Sequence, residues 1–112
     1  MVTTLANAEH YLWGQNCDGW HLLRSDSLSI IYERMPPGSQ EARHFHSKAQ
    51  QFFFVLQGEA VMEIDGKEFA VRECEDIHVA AGKPHQMFNR SQADAFFLVI
   101  SQPPSHGDRV NV

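Results

Sequence analysis

Long apolar runs are missing from this chain. The two longest, Phe52–Leu56 and Ala95–Ile100, fall far short of the roughly 20 residues of a membrane-spanning helix. No membrane partner is expected. The first fifteen residues hold neither a basic start nor a sustained apolar stretch, so no secretory signal is readable and a cytoplasmic location is expected. Basic residues are also few, with nine Lys and Arg against fourteen Asp and Glu, a formal charge of −5, and no clustering. Nucleic acid is therefore not an expected partner. Cysteine is scarce: Cys17 and Cys74 form no metal-ligand spacing and no disulfide framework, and both read as free thiols, with a single bridge as the alternative. Repeats, low-complexity segments and capped stretches of 3.6-residue apolar periodicity are absent as well. Little helix is expected.

The chain instead offers short β-branched and aromatic runs broken by turn residues: 28–35, 50–57, 59–64, 67–72, 76–79, 85–89 and 95–101. With 112 residues and 43% hydrophobic content, this predicts one all-β domain over 1–112, a sandwich or barrel. Asp65-Gly66 between two such runs predicts a tight hairpin of type I′, which needs positive φ at both central residues. Pro36-Pro37-Gly38 ends the strand before it, because two prolines remove two amide donors. The terminal stretches, about 1–10 and 103–112, are weakly patterned and are expected to lie across the barrel or a partner.

Candidate chemistry centres on His44-Phe45-His46. Side chains two apart on a strand share a face, so both imidazoles can converge on one point, whereas on a helix they diverge. The pair alone is weak evidence, with an ordinary structural role as the alternative. Its surroundings sharpen it. The stretch runs Gly38, five residues, His44, one, His46, four, Gln51, six, Gly58. Downstream come Cys74, five residues, Ala80, one, Gly82, two, His85, three, Asn89. These segments, 38–58 and 74–89, resemble the first and second motifs of the cupin superfamily, as in small single-domain, RmlC-like members. Gln51 stands where the family usually has Glu, Cys74 where it has Gly, and Ala80 where it has Pro.

The resemblance implies a double-stranded β-helix, the cupin jelly-roll barrel, holding one divalent transition metal per chain. The implied ligands are His44, His46 and His85, with Gln51 as a fourth through its amide oxygen or as a hydrogen-bond partner of a ligand histidine. Three imidazoles and an oxygen suit Fe, Ni, Zn, Cu or Mn. No other cofactor is implied. A neutral Gln leaves the full charge of the ion on a bound oxygen, which tilts the expected chemistry toward isomerisation, enolisation or hydration rather than oxidation.

On the strand after the histidines, Gln51, Phe53 and Val55 share the metal face and Phe52, Phe54 and Leu56 face away. Phe53, Val55 and Met62 are expected to line a cavity for a small-molecule ligand. The second apolar face is expected to pack between sheets or against another copy, as a homodimer. Catalytic residues stay unassigned: Glu41 and Glu63 are the nearest carboxylates in sequence, and no spacing places either in the cavity. Asp108-Arg109 reads either as a polar gate over the mouth or as a solvated tail. Asn89 is expected to fix a loop, and His10, His21, His78 and His106 to be surface or singly hydrogen-bonded residues.

The ligand set also resembles that of small cupins that linearise unsaturated uronates. Their acidic and arginine positions correspond here to Val99 and Ser105, which makes that activity the less favoured reading. The leading expectation is a metal-dependent enzyme acting on a small polar metabolite such as a sugar, a sugar acid or another carbonyl or hydroxy compound. Its chemistry is expected to be Lewis-acid isomerisation or oxygenation. The alternative is a non-catalytic binding or sensing module, which would match the absence of an evident acid/base pair.

Overall fold

Buried side chains alternate with more exposed ones along His44–His46, Gln50–Gln57, His85–Phe88 and Ala95–Gln102 of the computed structural model, which describes residues 1–112. Eleven strands form: β1 Glu9–Trp13, β2 Cys17–Arg24, β3 Ser29–Met35, β4 His44–His46, β5 Gln50–Gln57, β6 Ala60–Ile64, β7 Lys67–Val71, β8 Asp76–Val79, β9 His85–Phe88, β10 Ala95–Gln102 and β11 Arg109–Asn111. There is no helix, and so none long and apolar enough to cross a membrane. All pairings are antiparallel and build two sheets, one ordered β1-β2-β3-β10-β5-β8 and the other β11-β4-β9-β6-β7. This is the expected all-β jelly roll.

Between the sheets the inward residues of alternating strands meet. Met35, Phe53, Val55, Met62, Val71, Val79, Met87, Phe97 and Val99 form one cluster, with Cys17 and Ala60 filling its edges. Phe97, Val55, Met35 and Met62 are fully buried. Apolar area removed from water at this density is the main stabilising contribution. The outward residues of β5 and β10, Phe52, Phe54, Phe96, Leu98 and Ile100, are half-buried in the single chain.

Two local features follow from backbone chemistry. Asp65 and Gly66 both have positive φ, 51° and 87°, and join β6 to β7 as a type I′ turn requires. Cys74 has φ of 62°, a conformation that costs an ordinary residue strain and glycine none. Its amide is fixed there by donating to Val55 O at 2.8 Å. Both cysteines are free, Cys17 buried and Cys74 exposed.

The termini depart from the sequence reading. Residues 9–24 form a hairpin that extends the first sheet, and Arg109–Asn111 pairs with β4 at the edge of the second.

Candidate metal centre

β4 and β9 lie side by side with His44 directly opposite His85. His46, two residues along β4, shares the inward face. The three imidazoles are therefore gathered by strand register alone, and one ring nitrogen from each lies within 4.8 Å of the other two. Ring centroids are 4.4 Å apart for His44 and His85 and 4.9 Å for His44 and His46. All three side chains are buried.

Hydrogen bonds set which nitrogens are free. His44 Nδ1 donates to Ala42 O at 2.7 Å, and His85 Nδ1 donates to Lys83 O at 2.9 Å. Because carbonyls only accept, each proton sits on Nδ1 and each Nε2 keeps an open lone pair. Burial holds all three imidazoles below the usual histidine range, reinforced by neighbouring imidazoles for His44 and His46 and by the Arg109 charge for all three; for His44 the value falls to about 3. They are neutral, as metal ligands must be.

Gln51 completes the set from the opposite sheet. It sits across from Ser101 on β10, and its Nε2 donates to Ser101 Oγ at 3.1 Å. That bond leaves the amide oxygen free. Four buried side-chain atoms in the chain have no hydrogen-bond partner, and three of them are Gln51 Oε1, His46 Nδ1 and His85 Nε2. Orphaned buried acceptors are costly and rare. Their concentration here fits a cation held by His44, His46, His85 and the Gln51 oxygen.

A cavity of about 260 Å³ opens over His44, His46 and Gln51, with His85 packed against His44 behind its wall. Trp13, Ile31, Phe53 and Val99 form its apolar wall, and Ser105, His106 and Gly107 its rim. Phe53 lines it as expected. Val55 and Met62 do not: both are fully buried in the core, because the inter-sheet packing closes over them. Val99 and Ser105 also reach the cavity, without acidic or basic groups.

The wall carries titratable groups that sequence reasoning did not assign. Glu33, opposite Phe97 in the β3–β10 register, points inward and accepts a hydrogen bond from Tyr11 OH at 3.2 Å. The register places Tyr11, Gly19 and Glu33 in one cross-strand row. Gly19 makes room for the tyrosine ring, since a Cβ there would lie 2.3 Å from it. Glu41 accepts from the Met87 amide at 2.9 Å and stands 3.9 Å from His44 Nδ1. Burial raises Glu33 to about 8, helped by the charge of Glu41, and raises Glu41 itself to about 7 against the pull of Arg109. Burial and the Glu33 charge likewise raise the Tyr11 phenol. A signal for Glu33 existed: on Ser29–Met35 it shares the period-2 face of Ile31 and Met35, where a lone carboxylate is out of place.

The remaining candidates separate cleanly. Glu63 lies outside the cavity, its carboxylate held by Arg43 at 2.7 Å and the Gly66 amide at 2.6 Å. Asn89 donates to Met35 O and Ala93 O and so ties a loop, as expected. His10 meets Asp18 at 2.7 Å and His78 meets Gln50 at 2.9 Å. His21 packs on Tyr11, and His106 is exposed on the cavity rim. Asp108 and Arg109 are not a solvated tail: Asp108 accepts from the amides of Ser47, Lys48 and Ala49, and Arg109 lines the cavity.

The fold is an antiparallel jelly roll with three inward histidines whose ring nitrogens are close enough to share one metal ion. The chain belongs to the cupin family: the cupin domain model matches residues 31–101, more than half of its length. It is 29% identical over 81 residues to an uncharacterised protein of Methanocaldococcus jannaschii, covering 71% of this chain and 65% of that one, just under two thirds of the archaeal protein. It is 27% identical over 85 residues to the oxalate-binding protein of Thermotoga maritima, covering 71% of this chain and 70% of that one. Among solved structures, a cupin-superfamily sugar phosphate isomerase from Silicibacter pomeroyi superposes with a TM-score of 0.79 at 24% identity, over 93% of this chain and 76% of that one.

Proposed function

We propose that this cupin is a metal-dependent enzyme acting on a small polar metabolite with carbonyl and hydroxyl oxygens, by isomerisation or enolisation. The observation that carries the reading is a cluster of three metal-competent imidazoles and an orphaned amide oxygen at a cavity whose wall also carries the carboxyl groups of Glu33 and Glu41. A divalent ion held by His44, His46, His85 and Gln51 would supply Lewis acidity toward a substrate oxygen.

The protein's own groups then divide the remaining work. Glu41 has one oxygen engaged by the Met87 amide and the other turned toward His44, so it is fixed in place while it takes or returns a proton. Glu33 holds a second proton because burial disfavours its charged form, and the Tyr11 hydroxyl orients the carboxyl group. Two carboxyls whose values sit near neutrality are what proton transfer at a carbon next to a carbonyl requires. Trp13, Ile31, Phe53 and Val99 exclude water from one side. The volume corresponds to about nine liquid waters, which restricts the ligand to a small molecule.

The experiment is elemental analysis of the untagged chain beside His44→Ala and Gln51→Ala, followed by proton-deuterium exchange of candidate sugar acids and hydroxy acids in heavy water. Near-stoichiometric transition metal, lost in His44→Ala, together with exchange that Glu41→Gln abolishes, supports the reading. A chain that holds no metal and takes none from Fe, Ni, Zn, Cu or Mn overturns it. Retained metal without exchange supports the second reading, a non-catalytic ligand-binding cupin, which the similarity to an oxalate-binding protein favours.

A further inference from the structure

The cavity carries a cation with no counter-ion in the protein. Of six arginines in the chain, five pair with carboxylates: Arg24 with Glu9, Arg34 with Asp18 and Asp94, Arg43 with Glu63, Arg72 with Glu59 and Arg90 with Glu68. Arg109 pairs with none. Its Nε donates to Asn111 Oδ1 at 2.9 Å and one terminal nitrogen donates to Ala42 O at 3.2 Å. These bonds orient the guanidinium and leave other N–H groups of its fork unused.

Its position is built rather than incidental. On β11, Arg109 lies directly opposite His46, and residues opposite each other in an antiparallel pair project to the same side. The side chain therefore reaches the cavity beside the histidines. The neighbouring Asp108 pins the start of the strand by accepting from three successive amides at 2.9–3.1 Å. Glu33 and Glu41 line the same cavity, yet neither comes close enough to pair with the guanidinium.

We infer that Arg109 recognises the carboxylate of the ligand, and that this ligand is a short-chain carboxylic acid with its remaining oxygens turned toward His44, His46 and His85. The inference deepens the proposed function and rests on the same cavity. A guanidinium fork matches a carboxylate or a phosphate by two parallel hydrogen bonds. The cavity, about 260 Å³, takes a short acid with one such fork against its carboxylate, and inorganic phosphate is the anion that the titration sets against it.

The test is calorimetric titration of the parent, Arg109→Lys and Arg109→Gln chains with pyruvate and glycolate. Pyruvamide serves as the uncharged counterpart and inorganic phosphate as the competing anion. Each sample is analysed for metal and checked by circular dichroism. The expected result is that Arg109→Gln weakens both acids about tenfold to a hundredfold, the scale of a lost charge-assisted hydrogen bond. Arg109→Lys is expected to fall between, because it keeps the charge and loses the fork, and pyruvamide to bind all three chains alike.

Equal affinity of the acids for parent and Arg109→Gln overturns the inference, as does no binding of either acid to the parent. Phosphate binding more tightly than both acids, with the same dependence on Arg109, overturns the carboxylate assignment. Failure of the metal reading is separately visible in the elemental analysis, and the Arg109 ratio is then measured on the metal-free chain.

Discussion

Replacing Glu33 by Gln should stabilise the metal-free protein in a pH-dependent way. Burial beside Glu41 lifts the Glu33 carboxyl from 4.5 to about 8. Between those values the folded chain keeps a proton that the unfolded chain has released. For an acid whose folded value is raised, stability therefore falls as pH rises through the window, by up to about 1.4 kcal/mol per pH unit. Water in the open cavity reduces the effect, so about 2–3 kcal/mol is expected between pH 5 and pH 8. The glutamine cannot ionise, and its oxygen can still accept from Tyr11. Urea unfolding in chelator, followed by tryptophan fluorescence, should thus give matched stabilities at pH 5 to within about 1 kcal/mol. At pH 8 the variant should exceed the parent by about 2–3 kcal/mol. Glu41 is present in both chains, so its titration largely cancels in the difference. A difference that does not change with pH would refute the placement of Glu33 in a desolvating wall.

Three further outcomes follow from the fold. Gly19→Ala drives a Cβ to within 2.3 Å of the Tyr11 ring, so the tyrosine must move off Glu33; a loss of about 1–3 kcal/mol is expected in urea unfolding, and a loss near zero would contradict the packing. Cys74→Gly removes a side chain from a residue at φ of 62°, and should leave the thermal midpoint level or slightly raised; a clear fall would mean that the thiol packs. A homodimer through the outer face of the first sheet, where Phe54, Phe96 and Leu98 stay half-covered, predicts that Leu98→Glu sediments as a monomer while the parent sediments as a dimer. Equal sedimentation of the two chains would remove that interface.

Much of this architecture is legible from local pattern because antiparallel strands announce themselves residue by residue. The runs 50–57 and 76–79 coincide with β5 and β8, and Asp65-Gly66 turns as its chemistry requires. The histidines are legible for the same reason: period-2 spacing puts His44 and His46 on one face, and only the pairing partner had to come from the motif at His85. β1 and β11 escape notice because they are edge strands whose side chains are largely exposed, so no alternation of apolar and polar residues marks them. Val55 and Met62 were misplaced because alternation gives the face of a residue and not its depth. Val55 continues the face of Gln51 and Phe53, but the sheets have already closed at its level. Glu33 stood readable on the period-2 face of Ile31 and Met35, whereas Arg109 needed register across strands far apart in sequence, β11 against β4.

The position of negative charge links these observations. Where the family motif usually carries Glu, this chain carries Gln51, fixed through its amide nitrogen by Ser101. A carboxylate there would serve as a ligand and be locked to the ion. Here the carboxyl groups are moved back to the wall, at Glu33 and Glu41, where burial tunes them to titrate near neutrality. In the proposed enzyme this separates two tasks that a ligand Glu would merge: neutral donors hold an ion at full charge, and free carboxyls carry protons. Arg109 supplies the third element, positive charge outside the ligand set, which favours an anionic substrate without competing for the metal donors. Placing Glu at position 51 would oppose that division, by neutralising part of the ion's charge and by adding a third carboxyl group to the cavity, buried beside Ser101.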